Sequence, residues 1–164
     1  MRLSMIAAMS QNGVIGSGKE IPWAVKGEQL LFKALTFGQW CIVGRKTFEA
    51  MGQLPDRKFV VVSRAKVASE NPDVIYVRSI EAALSFCHVV TDHAFVIGGG
   101  ELYQELIDKV DVLHLTTVKK WVEGNVYFPT LPDHMVEVFA QDFTSNIDFV
   151  YRIYLKGGDH ENIE

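Results

Sequence analysis

Residues able to do chemistry cluster just after the apolar runs of this chain. Gly13-Val14-Ile15-Gly16-Ser17-Gly18-Lys19 has the spacing of a phosphate loop, but Glu20 takes the place of the Ser or Thr that would hold magnesium. Ile21-Pro22 then follow where a helix should start, so ATP chemistry is excluded. What remains is a glycine-rich connection closed by Pro22-Trp23, either a plain surface loop or a lid over a ligand. Glu28 shares an i, i+3, i+4, i+7 stripe with Leu31, Phe32 and Leu35. Two readings of it stand: a first-turn carboxylate favoured by the helix dipole with its tip in water, or a semi-buried carboxylate awaiting a cationic or amidine-like ligand.

Gly44-Arg45-Lys46-Thr47 follows the apolar run Trp40–Val43, bringing backbone N–H groups, a hydroxyl and two cations to a place that suits an anion. Ser63-Arg64 likewise ends the run Phe59–Val62. An NAD site usually carries an acid at such a strand end, whereas Arg suits the extra 2′-phosphate of NADP. Either arginine alone reads as a solvated loop residue; the two together favour NADPH. Phe95-Val96-Ile97-Gly98-Gly99-Gly100-Glu101-Leu102-Tyr103 sets three glycines between a strand and a helix. One glycine suffices for a tight turn, so the surplus favours a ligand lying close against the backbone. Thr116 ends a further apolar run, Arg57 lies in a Pro55-Asp56 turn, and the five histidines show neither HxxxH nor HExxH spacing, so no metal site is expected.

These residues need elements to position them. β-rich runs occur at Leu3–Met9, Trp40–Gly44, Phe59–Ser63, Val74–Val77, His93–Ile97 and Val112–Thr117, with others at Val136–Asp142 and Phe149–Leu155. Helical patterns fall between them at about Lys26–Thr36, Thr47–Met51, Ile80–Cys87 and Gly100–Ile107. Alternation through the first two thirds predicts an α/β fold with a mainly parallel sheet covered on both faces, followed by antiparallel strands. Ligands of such sheets bind at the carboxyl ends of the strands, where the candidate residues fall.

Composition narrows the classes further. With 164 residues, 48% hydrophobic and 22% charged, the chain is an ordinary globular domain rather than a disordered segment. A net charge of −4 argues against a general nucleic-acid binder, and no apolar stretch is long enough for a membrane helix. The start resembles a signal peptide only superficially and is read as a first buried strand. Cys41 and Cys87 form no CxxC pair, which points to a reducing, cytoplasmic setting. One domain over residues 1–157 is expected, with residues 158–164 a frayed, polar tail.

Taken in order, Gly13-Val14-Ile15-Gly16, Ile21-Pro22-Trp23, Val43-Gly44-Arg45-Lys46-Thr47, Leu54-Pro55-Asp56-Arg57 with Val62-Ser63-Arg64, Ile97–Tyr103 and Gly124-Asn125-Val126-Tyr127-Phe128-Pro129 resemble dihydrofolate reductases over nearly the whole chain. The run Gly27–Lys33 is most similar to the mobile-element-borne, trimethoprim-insensitive bacterial branch. The resemblance implies a single-domain fold with a mostly parallel central sheet, antiparallel C-terminal strands and about four helices. It also implies a monomer that uses NADPH to reduce 7,8-dihydrofolate and binds antifolate inhibitors. Glu28 would pair with the pterin 2-amino group and N3, oriented by Thr116, while Trp23 would help hold the lid and an ordered water. Ile6, Phe32, Met51, Leu54 and Ile97 would wall the substrate rings, and Arg57 would clamp its α-carboxylate. Ala8, Ile15, Gly16, Gly44, Arg45, Lys46, Thr47, Ser63, Arg64 and Gly98, Gly99, Gly100, Glu101, Leu102, Tyr103 match cofactor positions. Glu28 stands where many bacterial relatives carry Asp, Gln29 replaces a commonly apolar neighbour, and Asn125 replaces an Asp that bonds the lid. Two rivals remain: a related reductase of the same fold acting on another pterin or a pyrimidine, and a non-catalytic NADPH-binding module.

Overall fold

The structure is a computed structural model that describes residues 1–16, 27–52, 54–65 and 67–157. Its chemistry-bearing loops hang on an eight-stranded sheet whose inner strands are apolar on both faces. β3 (Trp40–Gly44) and β4 (Lys58–Val62) bury Cys41, Ile42, Val43, Phe59, Val60 and Val61 completely. That continuous burial is what a parallel strand between two helical layers requires. β1 (Arg2–Ser10), β5 (Val74–Val77), β6 (His93–Val96) and β7 (Val112–Val118) complete the parallel part, and β9 (Met135–Phe143) and β10 (Phe149–Lys156) close it antiparallel. The strand order is β5-β4-β3-β6-β1-β7-β10-β9.

Four helices connect the parallel strands: α1 (Glu28–Thr36), α2 (Arg45–Met51), α3 (Ile80–Val90) and α4 (Gly100–Leu106). Phe32 and Leu35 of α1 and Phe48 and Met51 of α2 pack on the cluster formed by Ile6, Cys41, Phe95 and Ile97. Ala83 and Cys87 of α3 and Leu102 and Leu106 of α4 belong to the other cluster, with Met5, Ile42 and Leu113. The connections first run outward from β1 to β5 and then turn back, inserting β6 between β3 and β1. The reversal opens a crevice at the carboxyl ends of β1, β3 and β6, the place where ligands of such sheets bind.

The α/β expectation therefore holds, and the differences lie at boundaries. α2 begins at Arg45, two residues before the predicted Thr47, because Gly44 ends the strand directly into the helix. α3 runs on to Val90, past the predicted Cys87; its start is capped by Ser79, whose Oγ accepts from the Ala82 N–H at 3.0 Å. A second, two-stranded sheet of β2 (Val14–Gly16) and β8 (Val126–Tyr127) was not anticipated. Both cysteines are free and buried, and no helix among the described residues is long and apolar enough to cross a membrane.

Candidate active site

Glu28 opens α1 from Gly27, whose φ of 93° turns the chain into the helix. It is half-buried, and loss of solvent raises its carboxyl pKa above the usual value. Across the crevice, the buried hydroxyl of Tyr103 lies 2.8 Å from the Ile6 carbonyl and 2.9 Å from that of Ile97, sharing its one proton between them. This bridge joins the ends of β1 and β6. Burial, and secondarily the charge of Glu28, drives the Tyr103 pKa upward, so the hydroxyl stays protonated. Around this polar centre Ile6 and Ile97 share one apolar cluster with Phe32, Met51 and Leu54, so the five expected ring-wall residues do come together. Leu35 and Phe48 pack against the same cluster.

At the outer end of α1, Arg57 is buried and tied down. Its Nε donates to Thr36 Oγ1 at 3.0 Å, while Nη1 and Nη2 donate to the carbonyls of Pro55 and Lys33, each at 2.6 Å. The guanidinium carbon also lies 5.9 Å from the centre of the Phe37 ring. Guanidinium has five N–H groups; two of them are not taken up among the described residues, leaving a fixed cation able to receive a carboxylate. Thr36, which the sequence reading did not single out, holds this geometry. Its hydroxyl donates to the Phe32 carbonyl at 2.7 Å while accepting from Arg57. The only sequence signal for it is a threonine in the last turn of a helix.

Backbone forms the remaining wall. The Gly44 N–H donates to the Gly98 carbonyl at 2.8 Å, linking the ends of β3 and β6, and the Gly98–Gly99 peptide is cis. Gly98 has φ 114°, and a Cβ there would stand 3.0 Å from the Tyr103 hydroxyl. A Cβ on Gly99 would stand 2.7 Å from Thr47 Oγ1, so a side chain there would displace Thr47 of α2. The β2–β8 sheet leans on the same turn, since a Cβ on Gly100 would meet Val126 at 2.8 Å and Ile15 at 3.6 Å. Gly44, Gly98, Gly99 and Gly100 thus bring backbone together at the ends of β3 and β6, with Thr47 beside them.

The other expected residues fall as follows. Ala8 pairs in register with Thr116 on β7, and among the described residues no hydrogen bond joins Thr116 to Glu28. Arg45 makes an i, i+4 ion pair with Glu49 at 3.5 Å, and Lys46 is exposed. Ser63 is buried, its Oγ donating to the Ala65 carbonyl at 3.1 Å. Arg64 Nη2 meets Glu101 Oε1 at 3.2 Å. Leu102 is core, and Gly16 ends β2. Trp23 lies outside the described residues. No group of three or more His, Cys, Asp or Glu among the described residues could hold a metal.

Comparison with known proteins gives a consistent result. The dihydrofolate reductase family model matches residues 2–156. The chain is 54% identical over 157 residues to dihydrofolate reductase type 6 of Proteus mirabilis, covering 96% of this chain and 100% of that protein. It is 55% identical over 157 residues to dihydrofolate reductase type 15 of Escherichia coli, with the same coverage of 96% and 100%. Among solved structures it is similar to the dihydrofolate reductase from Enterococcus faecalis complexed with NADP(H) and RAB-propyl, at TM-score 0.87 and 26% identity over 94% of this chain and 96% of that one. With a family match spanning nearly its whole length and relatives more than half identical over their full lengths, the chain belongs to the dihydrofolate reductase family.

Proposed function

We propose that the protein reduces 7,8-dihydrofolate to 5,6,7,8-tetrahydrofolate at the expense of NADPH, with the crevice between α1, β1 and β6 as its active site. The observation that carries this reading is the meeting of Glu28, the Ile6–Ile97 wall and the Gly98–Gly100 turn at the carboxyl ends of the central strands β1 and β6, on a chain of this family. When bound, the nicotinamide supplies the hydride that goes to pterin C6. The protein's own residues do the rest. Glu28 receives the pterin 2-amino group and N3, while Trp23 holds an ordered water. Phe32, Met51 and Leu54 exclude bulk water from the ring, and Arg57 takes the α-carboxylate at the far end. Glu28 acts by charge and through water while solvent supplies the proton to N5.

Gly44, Thr47, Ser63, Arg64 and the glycine turn hold the cofactor, aided by Ala8, Ile15, Arg45 and Lys46. The enterococcal neighbour with NADP(H) bound supports this assignment. The protein acts as a monomer on small molecules, and its free, buried cysteines suit a reducing cytoplasm. The extra methylene of Glu28 relative to Asp and the polar, exposed Gln29 weaken trimethoprim more than substrate. The test is the decay of NADPH absorbance with dihydrofolate, with and without trimethoprim. Persistent decay with the drug supports both parts; decay abolished by a dose that silences ordinary bacterial enzymes removes the insensitivity. No decay with dihydrofolate removes the reductase reading.

A further inference from the structure

Among the cofactor residues one has the wrong charge for its place. Glu101 sits in the first turn of α4, directly after the glycine cradle, and carries a negative charge to the edge where nucleotide phosphates would lie. Its Oε1 is 3.2 Å from Nη2 of Arg64, the residue suited to a 2′-phosphate. The pair spans two elements: Arg64 follows β4, whose last residue Val62 is in register with Gly44 of β3, and Glu101 follows β6. It thus crosses the outer end of the row of strand ends that makes the cradle. A second cation stands at the same point, since Arg78 Nη2 donates to the Arg64 carbonyl at 3.2 Å. The ends of β4 and β5 are held together there by the Ser63 N–H donating to the Val77 carbonyl at 2.8 Å.

We infer that Glu101 is an internal competitor for the cofactor's 2′-phosphate, occupying Arg64 in the free protein and thereby lowering the discrimination between 2′-phosphorylated and unphosphorylated dinucleotides. This rests on the NADPH reading of the cradle. The Arg64 and Glu101 side chains are 92% and 73% exposed, so the ion pair is solvated, weak and easily exchanged. A dianionic phosphate arriving at Arg64 replaces one carboxylate partner by a stronger one and leaves Glu101 as a like charge at short range. Both effects act most strongly on the 2′-phosphate, since a nucleotide lacking it does not compete for Arg64. Arg78 supplies the positive charge that keeps the site selective despite the competitor.

The test is calorimetric binding of 2′,5′-ADP and 5′-AMP, which need no turnover, to the wild type, Glu101→Gln, Arg64→Gln and the double variant. Glu101→Gln is expected to tighten 2′,5′-ADP by about three- to tenfold at low ionic strength, with 5′-AMP changed by less than about twofold. The gain should shrink at high salt and in the Arg64→Gln background. If Glu101→Gln leaves 2′,5′-ADP unchanged or weakens it while Arg64→Gln still costs affinity, the competitor role is overturned and the cofactor reading stands. If Arg64→Gln leaves the ratio of the two nucleotides unchanged as well, the 2′-phosphate reading of this strand end is itself overturned.

Discussion

Glu28 is asked to be charged in a place that disfavours charge, and the two demands predict opposite effects of one substitution. Burial raises its pKa in the native state, so between the ordinary carboxyl value and the raised one the folded chain holds a proton that the unfolded chain has released. Stability therefore falls as pH rises through that window, and at neutral pH the ionised group remains a cost. Glu28→Gln should raise the thermal midpoint at pH 7 by about a few degrees, and should lower turnover by about two orders of magnitude or more. A paired melting curve and NADPH assay check this; a variant both active and no more stable would contradict the role. Arg57 gives the contrasting case, because the contact we propose for it, with the substrate's α-carboxylate, is remote from the reacting carbon. Arg57→Ala should raise KM for dihydrofolate by about tenfold or more with kcat changed little. Arg57→Lys should behave nearly as badly, since three hydrogen bonds in a planar fork fix the side chain. Steady-state kinetics over substrate concentration separates the two constants, and a fall confined to kcat would remove the clamp.

Elements set where such residues stand, and they differ in how plainly the sequence announces them. β3 and β4 are legible as uninterrupted apolar runs, and α1 as a stripe of Leu31, Phe32 and Leu35 that does face the core side. β2 and β8 are illegible because strands of three and two residues carry no period. Of the site, Glu28, Arg57 and the glycine turn can be read from type and position. The Tyr103 bridge between Ile6 and Ile97 and the Thr36–Arg57 bond cannot, since their partners are 97, 6 and 21 residues apart and meet only after the sheet forms. His114 is another such long-range case. On β7 its Nδ1 lies 2.6 Å from the Tyr151 hydroxyl of β10, and burial, aided by the charge of His93, lowers its pKa to about 4. It stays neutral when folded but gains a proton when unfolded below its ordinary value of 6.5. Stability should accordingly decline as pH falls from 6.5 towards about 4, by at most about 1.4 kcal/mol per pH unit from this group. Denaturant titrations at several pH values should show a shallower decline for His114→Gln, which keeps a hydrogen-bonding side chain without the titration; an identical slope would assign the acid sensitivity elsewhere.

At the scale of the whole molecule the site belongs to no single element. Its groups come from the ends of β1, β3, β4 and β6 and the starts of α1, α2 and α4, so the cradle exists only when the reversed strand order has been built. An unfolded chain has no comparable site, and cofactor binding must therefore add to folding free energy by mass action. At a hundredfold excess over its dissociation constant, NADPH should stabilise by about 2.7 kcal/mol, equivalent to about 5–10 °C in melting midpoint for a chain of this size. NADH at the same concentration should give a smaller shift, because it lacks the 2′-phosphate that we propose Arg64 receives. Both shifts should grow with the logarithm of ligand concentration, while the NADPH increment over NADH alone should diminish with added salt. Melting curves over a range of each cofactor test this without any turnover. Equal shifts from the two would mean that the cradle binds the dinucleotide through its glycine backbone alone, and a missing shift for both would mean that the crevice is not a dinucleotide site.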